Sequence, residues 1–402
     1  MKKRALILIA VVALIIAALP FAAFAYGRRT VKNRTVPAEY EAFPVIASSA
    51  QVGDISAASA VLVNADTGDV LFQKSADERL SMASTTKIMT ALVAIETVAL
   101  DSVITVTEES VGVEGSSVYL CAGEQLTLEE LLYALLLESA NDAAVAIAIG
   151  VAGSIEAFVA LMNERAEALG LCDTHFENPH GLDGQTHYTT ARELAMITKA
   201  ALANEAFAAI VGTAKKTIEF ELDGIHSERL LINHNRLLRL YEGAVGVKTG
   251  YTKRSGRCLV SCAERNGVRL IAVTLNAPDD WDDHTKMLDF GFNTYEMVTL
   301  CDPLEISVML PLVNGVEEHI TVCNPEGVYV VLPKEREDIS YTVELSRFEF
   351  APLEKGEVLG RLVFRCGDTV VGECTLVAAY GVSERTYDGK DSFLDWILKI
   401  FR

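Results

Sequence analysis

The chain has 402 residues, half of them hydrophobic, and a formal net charge of −20 at pH 7. This length and apolar content are enough for a large core and more than one domain. The acidic excess, which no basic stripe offsets, argues against a nucleic-acid partner. The 8 cysteines include no C-x-x-C pair and the 7 histidines no helical H-x-x-x-H spacing. We therefore expect neither a metal site nor a cofactor.

The N-terminal 25 residues have the pattern of an export signal. Three basic residues at positions 2–4 precede an apolar run over residues 5–25, which ends in the small-residue sequence Ala23-Phe24-Ala25. This pattern predicts a signal peptide over 1–25 and a linker over 26–55. The alternative is an uncleaved anchor, because the run is long for a signal peptide. In both cases the rest of the chain is exported to the outer face of the cytoplasmic membrane and the cell wall.

The segment after the linker predicts a mixture of strands and helices. A turn-rich stretch between residues 60–63 and 70–72 predicts a β-hairpin. Helical apolar spacing follows at 88–95, 128–137, 143–149, 154–170 and 194–202, with capping boxes at Thr127/Glu130 and Thr190/Glu193. Residues 258–263 and 270–275 read as strands. The predicted fold class is α+β, with helices packed on an antiparallel sheet.

The sequence changes character near residue 299. Six short strand-like runs (305–310, 318–323, 328–332, 341–345, 358–364 and 373–378) are separated by Gly, Pro, Asn and charged residues. They predict a small all-β domain over 299–385. Cys366 and Cys374 could face each other across a hairpin, although buried free thiols would fit the sequence equally well.

The last segment, 386–402, predicts an amphipathic helix. Asp395, Lys399 and Arg402 fall on one face, and apolar residues that include Phe393 and Ile397 occupy the other. Apolar and aromatic residues opposite basic ones suit a membrane surface. A terminal helix docked on the β domain is the alternative.

Three short motifs point to the chemistry. Ser84-Thr85-Thr86-Lys87 reads S-x-x-K, Ser139-Ala140-Asn141 reads S-x-N, and Lys248-Thr249-Gly250 reads K-T-G. Each is weak alone, and capping or surface positions would explain any one of them. Their common order, with about 50 and then about 110 residues between them, indicates a serine acyl-transfer enzyme.

The first motif supplies a nucleophile and a base. Ser84 and Lys87 share one face if the segment is helical. Ser84 would lie at the helix N-terminus, where free backbone N–H groups favour a developing oxyanion. The serine hydroxyl needs a base, and Lys87 can serve only when neutral. Burial and a second cation lower a lysine pKa, and Lys248 is the candidate for that cation.

Four segments together resemble the D-alanyl-D-alanine carboxypeptidases, the low-molecular-mass penicillin-binding proteins. They are residues 82–92, 178–183, 187–191 and 248–252, and the resemblance extends over about 56–295. It implies a β-lactamase/transpeptidase-like catalytic domain over 56–298, followed by the β domain and the amphipathic helix. Ala140 departs from the glycine of many members, and Tyr251 from the histidine of some; neither change removes a catalytic group.

The resemblance also implies residue roles. Ser84 is acylated, Lys87 accepts its proton and Ser139 relays a proton to the leaving amine. The substrate-binding residues are Asn141 at the substrate amide, Lys248 and Thr249 at the substrate carboxylate, Gly250 where backbone approaches closely, and Tyr251, whose N–H joins that of Ser84 in the oxyanion hole.

The implied activity is removal of the terminal D-alanine from peptidoglycan pentapeptide stems through an acyl-serine intermediate. Its partners are the stem peptides, β-lactam antibiotics as covalent inhibitors, and the membrane surface. Three alternatives remain: a class A-like β-lactamase, which would need a deacylating glutamate in an E-x-x-L-N pattern absent from residues 178–183; a D,D-endopeptidase; and a catalytically silent wall-binding protein.

Overall fold

The computed structural model describes residues 51–386. Its α-helices, α1 to α8 in chain order, are Lys87–Thr97, Leu128–Leu137, Asn141–Ala152, Ile155–Ala168, Ala191–Leu202, Glu205–Val211, Leu237–Leu240 and Asp280–Thr294. Its strands, β1 to β17, are Ser59–Asn64, Val70–Lys74, Val103–Thr105, Gln125–Thr127, Lys215–Leu222, Ile225–Ile232, Ala244–Thr252, Gly256–Arg265, Val268–Leu275, Tyr295–Cys301, Ser307–Val313, His319–Cys323, Val328–Pro333, Ile339–Leu345, Glu349–Phe350, Val358–Cys366 and Thr369–Ala378. The predicted signal peptide, most of the linker and all but the first residue of the predicted terminal helix lie outside the described residues.

A five-stranded antiparallel sheet organises the first part of the molecule. Its strand order is β2-β1-β9-β8-β7, so the predicted N-terminal hairpin pairs with the strands that follow the third motif. Strand β7 carries that motif and lies at one edge of the sheet. This edge position leaves one side of β7 open toward the helices.

Both faces of this sheet are buried, because helices cover each of them. Val61 and Val63 of β1 point into the larger core with helices α1 to α5, whereas Ala60 and Leu62 join a second core with helix α8. Strands buried on both faces need apolar residues at successive positions. The predicted α+β class is confirmed, with helices on both faces of the sheet.

Local sequence signals fix the helix starts. Thr127 and Glu130 form the predicted capping box at the start of α2. Of the two hydrogen bonds in the second predicted capping box, at Thr190 and Glu193, only one is present. Thr190 accepts from the N–H of Glu193, but the Glu193 carboxylate accepts from the N–H of Asp173 and the hydroxyl of Thr174. Glu193 thus ties its helix to the preceding loop.

A second sheet, which the sequence did not predict, lies beside the helices. Strands β3, β4, β5 and β6 pair in that order and are antiparallel throughout. Two of these strands have only three residues each, and β5 and β6 are mostly exposed and rich in charge. Such strands lack the apolar runs from which strands are usually predicted.

The C-terminal part is all β, as predicted. A six-stranded sheet has the order β14-β16-β17-β12-β11-β15, and β10 pairs with β13 in a separate two-stranded sheet. Strand β10 spans Tyr295–Cys301 and crosses the predicted boundary at 298/299. Cys374 pairs with Leu362 and Cys366 with Thr369, so the two cysteines do not face each other across the hairpin.

Among residues 51–386, no single helix is both long and apolar enough to cross a bilayer. Two sharply bent pairs reach the required length and composition only when their members are counted together: Asn141–Ala152 with Ile155–Ala168, and Ala191–Leu202 with Glu205–Val211.

Candidate active site

Ser84 lies in a short 3₁₀ turn, Ala83–Thr86, which leads directly into helix α1. Lys87 is the first residue of that helix and is fully buried. Its Nζ lies 3.0 Å from the Ser84 Oγ. The sequence spacing therefore does bring the hydroxyl and the amine into hydrogen-bonding contact.

Two further oxygens surround the Lys87 amine. Nζ lies 2.7 Å from the Oδ1 of Asn141 and 2.6 Å from the carbonyl oxygen of His180. Burial holds the Lys87 pKa well below its ordinary value, and the positive charge of Lys248 lowers it further, while the Asp142 carboxylate opposes both. Burial removes water from the charged ammonium, and a nearby like charge disfavours it again.

The second motif lies where helices α2 and α3 meet. Ser139 is 5% exposed and adopts a left-handed backbone conformation, with φ of 61°. Ala140 precedes helix α3 and makes no side-chain cap. The Asn141 side chain, instead of capping the helix, turns toward Lys87 and donates to the carbonyl oxygen of Glu114 at 2.5 Å. The motif therefore contributes its amide to the site.

The third motif lies on β7, beside the turn that carries Ser84. A Cβ added at Gly250 would lie 3.0 Å from the Ser84 backbone nitrogen and 3.2 Å from the Ala83 Cβ, so the strand and the turn pack tightly here. Lys248 is 2% exposed, and its Nζ donates to the carbonyl oxygen of Thr249 at 3.0 Å. Burial lowers the Lys248 pKa to about 7.

The structure brings some of the predicted residues into direct contact and others only nearby. Ser84, Lys87 and Asn141 share hydrogen bonds, Gly250 touches the Ser84 turn, and Lys248 is close enough to affect the Lys87 charge. Ser139 lies two residues before Asn141, and Thr249 lies between Lys248 and Gly250. The Tyr251 side chain is 66% exposed.

The Asn178–Asp183 loop takes part in the site, although the sequence analysis assigned it no role. A Cβ at Gly181, where φ is +91°, would lie 2.0 Å from the Ala83 carbonyl oxygen. Asn178 accepts from the Gly181 N–H, and the Thr90 hydroxyl donates to the Pro179 carbonyl. These contacts place the His180 carbonyl on Lys87. The density of turn residues in this segment was the sequence signal that could have indicated a structured loop.

His187 is connected to the Ser84 turn by hydrogen bonds. Its Nδ1 accepts from the Glu177 N–H, so its Nε2 carries the proton and donates to the Thr86 hydroxyl at 2.8 Å. Thr86 in turn donates to the Ala83 carbonyl oxygen. Burial lowers the His187 pKa to about 4, which keeps the ring neutral and this chain of donors fixed at neutral pH.

A second connection runs from the same loop to β7. Asp183 accepts from the hydroxyls of Thr252 and Ser255, at 3.0 and 3.2 Å. It therefore ties the loop to the strand that carries the third motif. Within residues 51–386, no cluster of three or more His, Cys, Asp or Glu residues has an arrangement that could hold a metal ion.

The chain is similar to known families and proteins. A family model for D-alanyl-D-alanine carboxypeptidases matches residues 45–279, and a model for the C-terminal domain of penicillin-binding protein 5 matches residues 295–384. D-alanyl-D-alanine carboxypeptidase DacF of Bacillus subtilis is 34% identical over 332 residues, which are 80% of this chain and 85% of that protein. DacC of Escherichia coli is 32% identical over 356 residues, 84% of this chain and 86% of DacC.

Solved structures show the same relationship. Penicillin-binding protein 5 of Haemophilus influenzae superposes with a TM-score of 0.69 at 26% identity, covering 83% of this chain and all of that one. The Streptomyces K15 DD-transpeptidase covers 61% of this chain and all of its own, with a TM-score of 0.58 at 34% identity. The chain carrying this Ser84–Lys87 site thus belongs to the D-alanyl-D-alanine carboxypeptidase family and is a serine-type carboxypeptidase of the penicillin-binding proteins.

Proposed function

We propose that Ser84 is the nucleophile of this carboxypeptidase and that Lys87, neutral in the resting enzyme, is its base. The supporting observation is the set of three oxygens around one buried amine. A neutral amine has two N–H groups, which match the Asn141 and His180 carbonyl oxygens. Its lone pair then remains for the Ser84 hydroxyl proton.

The proposed reaction removes the terminal D-alanine of a pentapeptide stem. Ser84 Oγ attacks the carbonyl carbon of the penultimate D-alanine while its proton passes to Lys87 Nζ. The backbone N–H groups of Ser84 and Tyr251 hold the oxyanion, and Ser139 hands a proton to the leaving amine. Water then hydrolyses the acyl-Ser84 ester. The role of Asn141 is to bind the substrate amide as well as to orient Lys87.

The first prediction tests the nucleophile and the base. Ser84→Ala should gain no covalent mass from penicillin, because no hydroxyl remains to be acylated. Lys87→Arg places a guanidinium that does not deprotonate at this position, so acylation should slow by about 10²–10⁴-fold. Intact-mass spectrometry during incubation with penicillin measures both.

Two variants away from the site serve as controls for this experiment. Ser154→Ala removes a serine that caps helix α4, and Lys286→Arg changes an exposed lysine of helix α8. Both should be acylated at the wild-type rate. A penicillin adduct on Ser84→Ala would show that another residue is the nucleophile. Near-normal labelling of Lys87→Arg would show that another residue is the base.

We further propose that Lys248 and Thr249 recognise the free C-terminal carboxylate of the stem peptide. A buried cation and a neighbouring hydroxyl can both donate to a carboxylate, and an amide in its place would leave them badly paired. With a pKa of about 7, Lys248 is charged below neutral pH and loses its charge as pH rises. The requirement for a carboxylate should therefore weaken above pH 7.

The second prediction compares acid and amide substrates. Amidating the terminal D-alanine should lower kcat/KM by roughly 10–150-fold, because a charge-assisted contact is lost. Thr249→Val should remove much of that difference. The ratio of acid to amide kcat/KM should fall as pH rises through about 7, where Lys248 deprotonates.

An unchanged ratio across that pH range would remove Lys248 from carboxylate recognition. Equal turnover of acid and amide by the wild type would favour the D,D-endopeptidase alternative, since an endopeptidase does not require a chain end.

The third prediction compares alanine substitutions at two glycines that share a left-handed backbone conformation. Gly181→Ala and Gly153→Ala both put a side chain on a left-handed residue, at φ of +91° and +82°. Gly153→Ala should lose about 1–2 kcal/mol of unfolding free energy. Gly181→Ala should lose more, because its Cβ also collides with the Ala83 carbonyl oxygen. Only the Gly181 Cβ meets the Ser84 turn, whereas the Gly153 Cβ meets nothing within 4 Å. Gly181→Ala alone should therefore slow acylation, by about 10²-fold.

Denaturant unfolding and penicillin acylation rates measure the two effects separately. Equal acylation rates in the two variants would show that the loop does not position Lys87.

A β-lactamase activity is not supported by the carboxylates near the loop. Glu177 accepts from the N–H and hydroxyl of Thr186, which lower its pKa and weaken it as a base. Asp183 is bonded to Thr252 and Ser255. Neither is hydrogen-bonded to Lys87 or Ser84. We infer that the penicillin adduct is long-lived, because neither of these two carboxylates is arranged to activate a deacylating water.

We propose that this exported enzyme trims stem peptides during peptidoglycan synthesis, with a role in cell wall biogenesis and cell shape. The domain limits, the signal peptide over 1–25 and the membrane-anchoring helix over 386–402 are parts of this proposal that follow from the sequence. Deleting 386–402 should release the enzyme from membranes and leave its activity on soluble peptide unchanged. Membrane association that survives the deletion would assign the anchor to the N-terminal segment.

A further inference from the structure

Two cysteines of the β domain meet outside the active site. Cys301 ends strand β10, and Cys374 lies in strand β17. Each thiol is close enough to the other to influence its pKa. Cys301 is 2% exposed and belongs to the buried core of the domain, whereas Cys374 is half-buried at its edge. The strands belong to different sheets, so the contact joins the two-stranded sheet to the six-stranded one.

The packing around the pair holds these sheets close together. Gly372 lies two residues before Cys374 and therefore points to the same face of β17. A Cβ added there would lie 2.9 Å from Leu300 Cδ1 and 3.0 Å from Val328 Cγ1, which belong to the opposite sheet. Val328 is also the pairing partner of Cys301. The absence of a side chain at Gly372 thus lets the two thiols approach.

We propose that Cys301 and Cys374 form a disulfide that links the two sheets of the β domain. The oxidant is a disulfide, either a small molecule such as oxidised glutathione or that of a thiol oxidase, and export provides the compartment in which such a bond persists. Cys374 is the more accessible thiol. Its thiolate attacks the oxidant and releases one thiol, and the Cys301 thiolate then attacks the Cys374 sulfur and releases the second. Two protein thiols and one disulfide become one protein disulfide and two thiols.

The surroundings of the two thiols indicate that this bond forms before the two sheets have packed. Burial raises the pKa of both thiols, that of Cys374 to about 11, and nearby carboxylates that include Glu305 and Glu373 raise them further. Few thiolates are then present at neutral pH, and exchange requires the thiolate. Once the sheets have packed, both formation and reduction of the bond should be slow.

Redox titration of the purified full chain tests the proposal. The protein is refolded in oxidised and reduced glutathione, quenched in acid, and alkylated with iodoacetamide under denaturing conditions. In the oxidising buffer we expect a peptide cross-link between Cys301 and Cys374, and no alkylation at either. Reduction should lower the thermal midpoint by roughly 10 °C or more, because the bond closes a long loop.

Single variants provide the controls. Cys301→Ser and Cys374→Ser should each leave the remaining thiol open to alkylation and remove the effect of the reductant on the thermal midpoint. Cys366→Ser, which alters a buried cysteine of the same domain, should keep the cross-link. Alkylation of both Cys301 and Cys374 in the oxidising buffer, or a cross-link to another cysteine, would overturn the proposal. Peptidase activity on soluble peptide should be the same in both buffers, so failure of this inference leaves the proposed reaction untouched.

Discussion

The site depends on one buried amine. Lys87 has no exposed surface, and its Nζ contacts oxygens from three separate segments: the turn that carries Ser84, the start of helix α3 and the Asn178–Asp183 loop. A charged ammonium would be costly in such a place, whereas a neutral amine has its two N–H groups satisfied and a lone pair to offer. Burial therefore both brings these segments together and favours the neutral amine that the proposed base requires.

The rest of the fold holds these segments in place. The five-stranded sheet is buried on both faces, and a Cβ at Gly250 of its edge strand β7 would lie only 3.0 Å from the Ser84 backbone nitrogen. The same strand brings Lys248 near enough to lower the Lys87 pKa. Asp183 and His187 then fasten the loop to β7 and to the Ser84 turn. Each connection is a short polar contact that fixes one segment relative to another, as an active site built from distant parts of the chain requires.

The sequence predicted the parts that depend on local pattern. Helix α2 with its Thr127 capping box, the N-terminal hairpin and the three motifs all have signals within a few residues, and the structure contains each of them. The contacts of Glu193 could not be read in this way, because its partners Asp173 and Thr174 lie in a preceding loop. Strands β5 and β6 were not predicted for another reason. They are exposed and charged, and pairing between backbones does not require an apolar pattern in such side chains.

The same limit applies within the site. The resemblance named Lys87 as the base, but the contribution of the His180 backbone carbonyl could not be found from residue type, since every residue has a carbonyl. Nor could the proximity of Cys301 to Cys374 be found in this way, because the sequence suggested Cys366 as the neighbour of Cys374. The register of β16 and β17 places Leu362 there instead. The position of the His180 carbonyl depends on how the loop closes, and the neighbour of Cys374 depends on the register between strands distant in the chain.

The neutral state of Lys87 is the central claim, and NMR titration of lysine amines tests it most directly. Lysines labelled with ¹³C at Cε report their charge, and the Lys87→Arg spectrum identifies the Lys87 resonance by its loss. We expect the resonance to have the chemical shift of a free amine at neutral pH and to titrate well below the ordinary lysine pKa. A Lys87 resonance that remains that of an ammonium up to the pH at which exposed lysines titrate would contradict the account.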